Sequence, residues 1–262
     1  MSLSWPSARI RVHLSSGALA ACEVQGRGRG ARVLRKARFG FEAGARGTAM
    51  ASLQEWIAGV ARRRRPSLEW VLGASEARYL LLPWTPDLAD PRFRDALATA
   101  LFEQQFREDP GLFAMRFADP AYGQALLAAF VPAVLLAEID AHASASRCRV
   151  SRIEPAVAPV WARFRTLLRK ERGTLLLIDG ERQLVVRHDW GQIAHVALRP
   201  FGTEGLALPP PEAGGNEAPR VFSSSPIDTA AAGSAAALML ADGNGFVAAE
   251  DAAYAFALCG VF

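Results

Sequence analysis

Little in this chain supports catalysis by a familiar route. Its three cysteines, Cys22, Cys148 and Cys259, lie far apart, match no metal or redox spacing and are odd in number. That argues against a disulfide framework and fits a reducing compartment. No Gly-x-Ser-x-Gly elbow is present. His188 and His195 lie seven apart without a carboxylate-rich partner set, so a structural or surface role is favoured over metal binding. The first ten residues are interrupted by polar groups and Pro6, so the apolar run of a secretory signal is missing and a cytoplasmic start is expected. A strong charge imbalance is missing too: 30 Lys and Arg against 26 Asp and Glu leave +4, too small an excess to imply nucleic acid by itself. The longest uncharged stretch, 120–137, contains Pro120, Gly123, Gln124 and Pro132, which a spanning helix would have to accommodate. A buried strand over 124–131 followed by a helix opening at Pro132 is the preferred reading.

What is present is apolar mass. About half the 262 residues are hydrophobic (51%), enough for one large domain or two coupled lobes. Residues 8–14 and 18–24 are short β-compatible runs joined by Ser15, Ser16 and Gly17, and 32–41 is a third run after a turn-rich segment, which predicts a three-strand meander. Leu53, Trp56, Ile57 and Val60 then share one face of a helix ending before Pro66. Residues 69–73 read as a fourth strand. Next come a strand near 77–84, a helix near 91–107, strands near 112–118 and 124–131, a helix near 132–146 and a strand near 148–154. That β-α-β-β-α-β order matches a ferredoxin-like split unit. Val157, Val160, Trp161, Phe164 and Leu168 give helical spacing over 155–169, a linking helix between two halves.

The meander then recurs as strands over 174–179, 184–188 and 193–198, with Asp179-Gly180 and Trp190-Gly191 as turns. Residues 203–219 read as a polar linker. A strand near 220–223, an Ala-rich helix near 229–240 and a final helix near 250–258 complete the chain. The division is therefore expected to be 1–169 as a first lobe, with an insertion at about 77–154 and a linking helix at about 155–169, and 170–262 as a second, reduced lobe.

Several groups invite a functional reading beside a plainer one. Ser15, Ser16 and Gly17 could cradle an anion, although a hairpin connection explains them as well. Asp179 before Gly180 could hold metal or water, although Asp-Gly is an ordinary turn pair. Arg62, Arg63, Arg64 and Arg65 follow a helix C-terminus, where cations are favoured, with anionic lipid as the alternative contact. The basic loop at 26–30 has no aromatic neighbours for stacking bases. Trp84, Phe93, Phe102 and Phe106 are expected mostly in the core, with any exposed part suited to a partner peptide.

Four local wordings, in order along nearly the whole chain, resemble one family. His13-Leu14-Ser15-Ser16-Gly17-Ala18-Leu19-Ala20-Ala21-Cys22-Glu23-Val24 is similar to a first phosphate loop reading Asp-Ile-Gly-Ser-Ser-Ser-hydrophobic-Lys-Ala-Val-Glu-Leu. Leu80-Leu81-Leu82-Pro83 precedes a helix holding Phe102-Glu103-Gln104-Gln105; Ile153-Glu154-Pro155-Ala156 leads into the linking helix; Ala253-Tyr254-Ala255-Phe256-Ala257-Leu258-Cys259-Gly260 closes the chain. Together they resemble the PilM pilus proteins and the cytoplasmic part of GspL, their type II secretion counterpart. The resemblance implies an α/β actin-like (ribonuclease H-like, duplicated) two-lobed fold with a ferredoxin-like insertion in the first lobe.

The departures from that family matter equally. His13 stands where an acidic metal ligand belongs, Ser15 replaces a glycine, Asp179-Gly180 shortens an Asp-x-Gly loop, and Phe222-Ser223-Ser224-Ser225 replaces a Gly-Gly adenosine loop. The implied phosphate loops, Ser15, Ser16, Gly17, Asp179 and Gly180, are thus degenerate. The resemblance implies a non-enzymatic scaffold with no cofactor, peripheral at the inner membrane through Arg62 to Arg65. It would bind a membrane partner's cytoplasmic segment at Leu81, Trp84 and Phe102, and an assembly ATPase, but no nucleic acid. The alternative is a nucleotide-binding phosphotransferase or ATPase of the same fold.

Overall fold

The computed structural model describes residues 9–26, 28–42, 44–59, 66–119, 122–201, 218–225 and 235–262. The expected meander is β1 (Arg9–Leu14), β2 (Ala18–Gln25) and β3 (Arg32–Gly40), followed by α1 (Arg46–Ala58) and β4 (Ser67–Leu72). β1 alternates strictly, with Ile10, Val12 and Leu14 on one face and Arg9, Arg11 and His13 on the other. Trp70 of β4 lies beside Val12 and meets His142 edge-on from α3 (Ala133–Ala145), so α1 and α3 cover the apolar face. Leu53 and Ile57 point inward from α1 as their spacing predicts.

The insertion supplies β5 (Arg78–Leu82), α2 (Pro91–Phe106), β6 (Phe113–Phe117) and β7 (Leu126–Pro132) ahead of α3. Asp90 caps α2, accepting a hydrogen bond from the Arg92 amide at 2.9 Å, and Pro91 fills the first helical position. Arg107 ends it in the left-handed region, with φ 56°. The β-α-β-β-α-β order stands, with one correction to its pairing. The last strand, β8 (Arg149–Pro155), does not complete a ferredoxin-like sheet; it pairs in parallel with β4. The inserted sheet therefore has three strands, ordered β5-β7-β6, and the first main sheet has five, β3-β2-β1-β4-β8. There the Glu154 carboxylate meets the buried Arg11 guanidinium, an ion pair that fixes β8 to this sheet.

After α4 (Val157–Leu168) come β9 (Arg172–Asp179), β10 (Arg182–Asp189), β11 (Gln192–Pro200), β12 (Arg220–Ser223) and β13 (Ala236–Ala237). Their order, β11-β10-β9-β12-β13, repeats the first sheet position for position. Most of the linker expected at 203–219 and the first half of the helix expected at 229–240 lie outside the described residues. Ala236 and Ala237, expected in that helix, instead pair in parallel with Arg220 and Val221 and cover the edge of β12. The final helix is shorter than expected: a 3-10 turn over Ala252–Tyr254 leads into α5 (Ala255–Leu258). α5 packs on β1, β2 and β4, so the end of the chain returns to the first sheet. Phe164 of α4, Phe222 of β12 and Phe256 of α5 pack in series, which places α4 and α5 between the two sheets.

Candidate functional site

The two predicted phosphate loops come together. Ser16 Oγ lies 3.2 Å from where a Cβ at Gly180 would stand, and Gly180 turns β9 into β10 with φ +60°. Three amides of the first loop, those of Ser15, Gly17 and Ala18, are satisfied locally. Ser15 Oγ accepts from the amides of Ala18 at 3.0 Å and Gly17 at 3.5 Å, and the Ser15 amide donates to the Ala18 carbonyl at 2.9 Å. Those N–H groups would have to be released before they could wrap a phosphate. The hairpin reading of Ser15, Ser16 and Gly17 thus describes the local geometry.

Asp179 combines both readings of its sequence. It ends β9 at a two-residue turn, yet its side chain points inward and is 1% exposed, with Oδ2 3.3 Å from Nε2 of His13. That is ion-pair distance without hydrogen-bond alignment, and both Asp179 oxygens lack a hydrogen-bond donor. His13 is 2% exposed and stacks on Phe256 at 4.8 Å. A Cβ at Gly73 would overlap Asp179 Oδ2 and the Leu14 carbonyl, so only glycine lets the end of β4 pass here. The Gly73 amide donates to that carbonyl at 2.7 Å.

Around this pair sit groups that sequence reading missed. Burial raises the Tyr79 hydroxyl above the ordinary tyrosine range, and the Asp179 charge adds to the shift. Burial also raises Glu76, against the opposing pull of Arg46, whose guanidinium donates to Glu76 Oε2 at 2.7 Å. Further along the same face Arg11, 2% exposed, lies 3.4 Å from both Glu69 and Glu154. Burial lowers the Arg11 guanidinium and the two carboxylates oppose it; burial raises Glu154, opposed by Arg152 and Arg11. The available signal was the alternation Arg9, Arg11, His13 in a strand otherwise made of Ile, Val and Leu: charge at every second position of a central strand needs partners above it.

Magnesium prefers several oxygen ligands at about 2.0–2.1 Å in octahedral array. Here an imidazole replaces the first carboxylate and lies against the second, so these residues do not fit a magnesium nucleotide. Two cavities lie among the described residues, and neither is lined by His13 or Asp179 themselves. One, of about 880 Å³, runs from Ser16 past Arg46 and Glu76 to His142 and Arg182. The other, of about 280 Å³, is apolar and lies under Phe222, Leu238 and Phe246.

The insertion residues divide. Leu81 is half-buried, and Trp84 is exposed, meeting Tyr122 edge-on at 5.2 Å. Phe102 is no surface anchor. It is fully buried, with Phe106, Phe113 and Phe130 within 4.9 Å, because α2 turns that face onto the inserted sheet. Of the two histidines, His188 is buried beside Trp161 and His195 is exposed on β11. Arg62 to Arg65 lie outside the described residues. Among the described residues, no helix is long and apolar enough to cross a membrane, and no cluster of three or more His, Cys, Asp or Glu could hold a metal.

Two sheets of identical strand order, related by duplication and enclosing α4 and α5, define the actin-like ATPase fold. Within that class the chain is similar to the cytoplasmic domain of EpsL, an inner-membrane component of the type II secretion system of Vibrio cholerae, with 15% identity and a TM-score of 0.61. That match spans 98% of this chain and 97% of that one. It is also similar to a chain of the PilM-PilN type IV pilus biogenesis complex, with 16% identity and a TM-score of 0.51, over 72% of this chain and 60% of that one. A Bacteroides thetaiotaomicron protein with an actin-like ATPase fold and unknown function aligns over 86% of this chain and 84% of its own, with 8% identity and a TM-score of 0.49. No family model matches the chain, and no curated protein sequence does.

Proposed function

We propose that this chain is a non-catalytic scaffold in a type IV pilus or type II secretion-like inner-membrane assembly platform. In this reading it holds the cytoplasmic segment of a membrane partner and engages an assembly ATPase, from a peripheral position at the inner membrane. We also propose two lobes divided near residue 169. The observation that carries the non-catalytic reading is the His13–Asp179 pair: an imidazole stands 3.3 Å from the buried carboxylate, where a magnesium nucleotide would need oxygen ligands. The partner class follows from the shared fold, since one similar structure is an inner-membrane secretion component and another a pilus biogenesis complex.

Calorimetry with magnesium-ATP is expected to show no saturable heat up to millimolar ligand; a micromolar Kd would overturn the reading in favour of the phosphotransferase. Exposed Trp84 with Tyr122, beside half-buried Leu81, is the proposed site for the partner's segment. Trp84→Ala should weaken that binding by about 2 kcal/mol, the usual scale for an aromatic anchor. An equally stable variant with unchanged affinity would remove this surface from consideration.

A further inference from the structure

The hairpin joining β10 to β11 is built against the preferences of its sequence. Asp189 pairs with Gln192, leaving Trp190 and Gly191 as the two central residues, both with positive φ, 50° and 78°. Such turns favour Asn-Gly or Gly-Gly, because a side chain at positive φ crowds its own backbone. The other two non-glycine residues with positive φ among those described, Arg107 and Arg147, follow the C-termini of α2 and α3, where this conformation is common. Trp190 has no such excuse. It is held there by its own amide, which donates to the Glu171 carbonyl at 3.1 Å, and by Gly191, where a Cβ would overlap the Arg169 side chain. The result is a large indole displayed at 58% exposure from a tightly fixed tip.

The surroundings of that indole are basic. Arg165 and Arg169 share a face at the end of α4, joined by the hydrogen bond from the Arg169 amide to the Arg165 carbonyl, and Lys170 follows; all three are exposed. Arg172 is 70% exposed and donates to Asp189 at 2.7 Å. Glu171 is engaged by Arg220 at 3.0 and 3.1 Å. The tip therefore carries five cations and two carboxylates, a net charge of +3 (5 − 2): Arg172 and Arg220 are bound to Asp189 and Glu171, while Arg165, Arg169 and Lys170 make up the excess. Neither of the two cavities described above is lined by a residue of the tip.

We propose that this tip is a contact for an anionic lipid surface, with Trp190 entering the headgroup layer and Arg165, Arg169, Lys170 and Arg172 lying over acidic headgroups. Tryptophan suits that layer because its body is apolar and its N–H is polar. One interfacial aromatic and a cluster of cations act in the same direction at an anionic surface. The inference rests on the membrane-side location proposed above for its choice of a bilayer over an acidic protein. It is tested without any partner present, so its failure leaves the scaffold reading standing, and failure at Trp84 leaves this one standing.

The test is co-sedimentation of the full chain with vesicles of phosphatidylglycerol and phosphatidylethanolamine, compared with vesicles of phosphatidylcholine. Binding is expected on the anionic vesicles alone and should weaken with salt. Each lost cation should lower the partition coefficient about fivefold, and the doubly reversed variant Arg169→Glu/Lys170→Glu by more than about 25-fold. Trp190→Gly should lower it about tenfold and abolish the share of tryptophan quenching that brominated lipids produce. Glycine fits the turn, so this variant should melt no lower than the parent, which separates lost contact from lost folding. Leu112→Ala, at an exposed apolar residue elsewhere, should bind as the parent does. Equal binding by parent and Trp190→Gly, equal binding to both vesicle types, or no vesicle binding alongside capture of an acidic protein through Trp190 would each overturn the proposal.

Discussion

The two main sheets share one strand order and bury opposite chemistry on the faces they turn toward each other. In the first, the inward face of β1 carries Arg9, Arg11 and His13; in the second, the matching face of β9 carries Leu175 and Leu177 before it reaches Asp179. The outward faces differ as well. The first lies beneath α1 and α3 in the large core, whereas Leu176, Ile178, Val185 and Val221 group separately among the described residues. Duplication therefore conserves backbone pairing, which any β-compatible run can satisfy, and leaves the buried face free to diverge if each new charge finds a partner. The one place where the faces must agree is where they touch, at His13 and Asp179.

The comparison breaks most sharply at Arg11. Arg11→Ala leaves Glu69 and Glu154 without their buried cation and should cost about 4 kcal/mol in chemical denaturation. Leu177→Ala, two residues before Asp179 as Arg11 is two before His13, should cost about 3 kcal/mol through a cavity alone. Giving the first face the chemistry of the second, as Arg11→Leu/Glu69→Leu/Glu154→Leu, should restore most of the loss, because apolar packing commonly replaces a buried ion network at little expense. A triple variant as unstable as Arg11→Ala would show that the charges do more than neutralise each other.

At the contact itself, His13→Asp places two carboxylates together without solvent and should lower stability at neutral pH by about 3 kcal/mol. A shared proton raises the carboxylate pKa in the folded state, so stability should return as pH falls below about 5. Magnesium should not rescue the variant at neutral pH; a rise in Tm on adding it would reveal a cleft still able to take a metal.

The smallest effect tests a feature the two lobes share. His142 meets Trp70 edge-on at 5.9 Å, and His188 meets Trp161 edge-on at 5.8 Å. Burial lowers both imidazoles below the usual histidine value, with Glu171 partly opposing the shift at His188. The unfolded chain then holds the proton more tightly. The stability they contribute is present above about pH 6.5 and is lost as pH falls through the folded-state values. Histidine titrations followed by NMR should place both below 6.5, and His142→Phe/His188→Phe should flatten the loss between pH 7 and pH 5.

The duplicated order was readable because short β-compatible runs separated by turn residues, Ser15-Ser16-Gly17 in one half and Asp179-Gly180 and Trp190-Gly191 in the other, recur whichever chemistry fills the inward face. Strand pairing beyond the hairpins was not. A β-α-β-β-α-β run is the same string whether its last strand closes an inserted sheet or extends the first one, and the long-range pairing of β8 with β4, joined by the Glu154 to Arg11 contact, is what distinguishes them. His13 and Asp179 were visible as departures from the family's loops, but their meeting depends on how two sheets face each other, which no local pattern encodes. Phe102 was misplaced for a related reason: the rings that enclose it, Phe113 and Phe130, come from strands outside its own helix.

The return of α5 to the first sheet has a consequence for synthesis. The ring that covers His13 belongs to Phe256, so a strand near residue 10 is finished by a residue made 243 positions later (256 − 13). At roughly 5–20 residues per second, tens of seconds separate their emergence from the ribosome. During that interval the strand carrying Arg11 and His13 lacks the ring that covers it, and the face that carries His13 stays open until Phe256 has emerged.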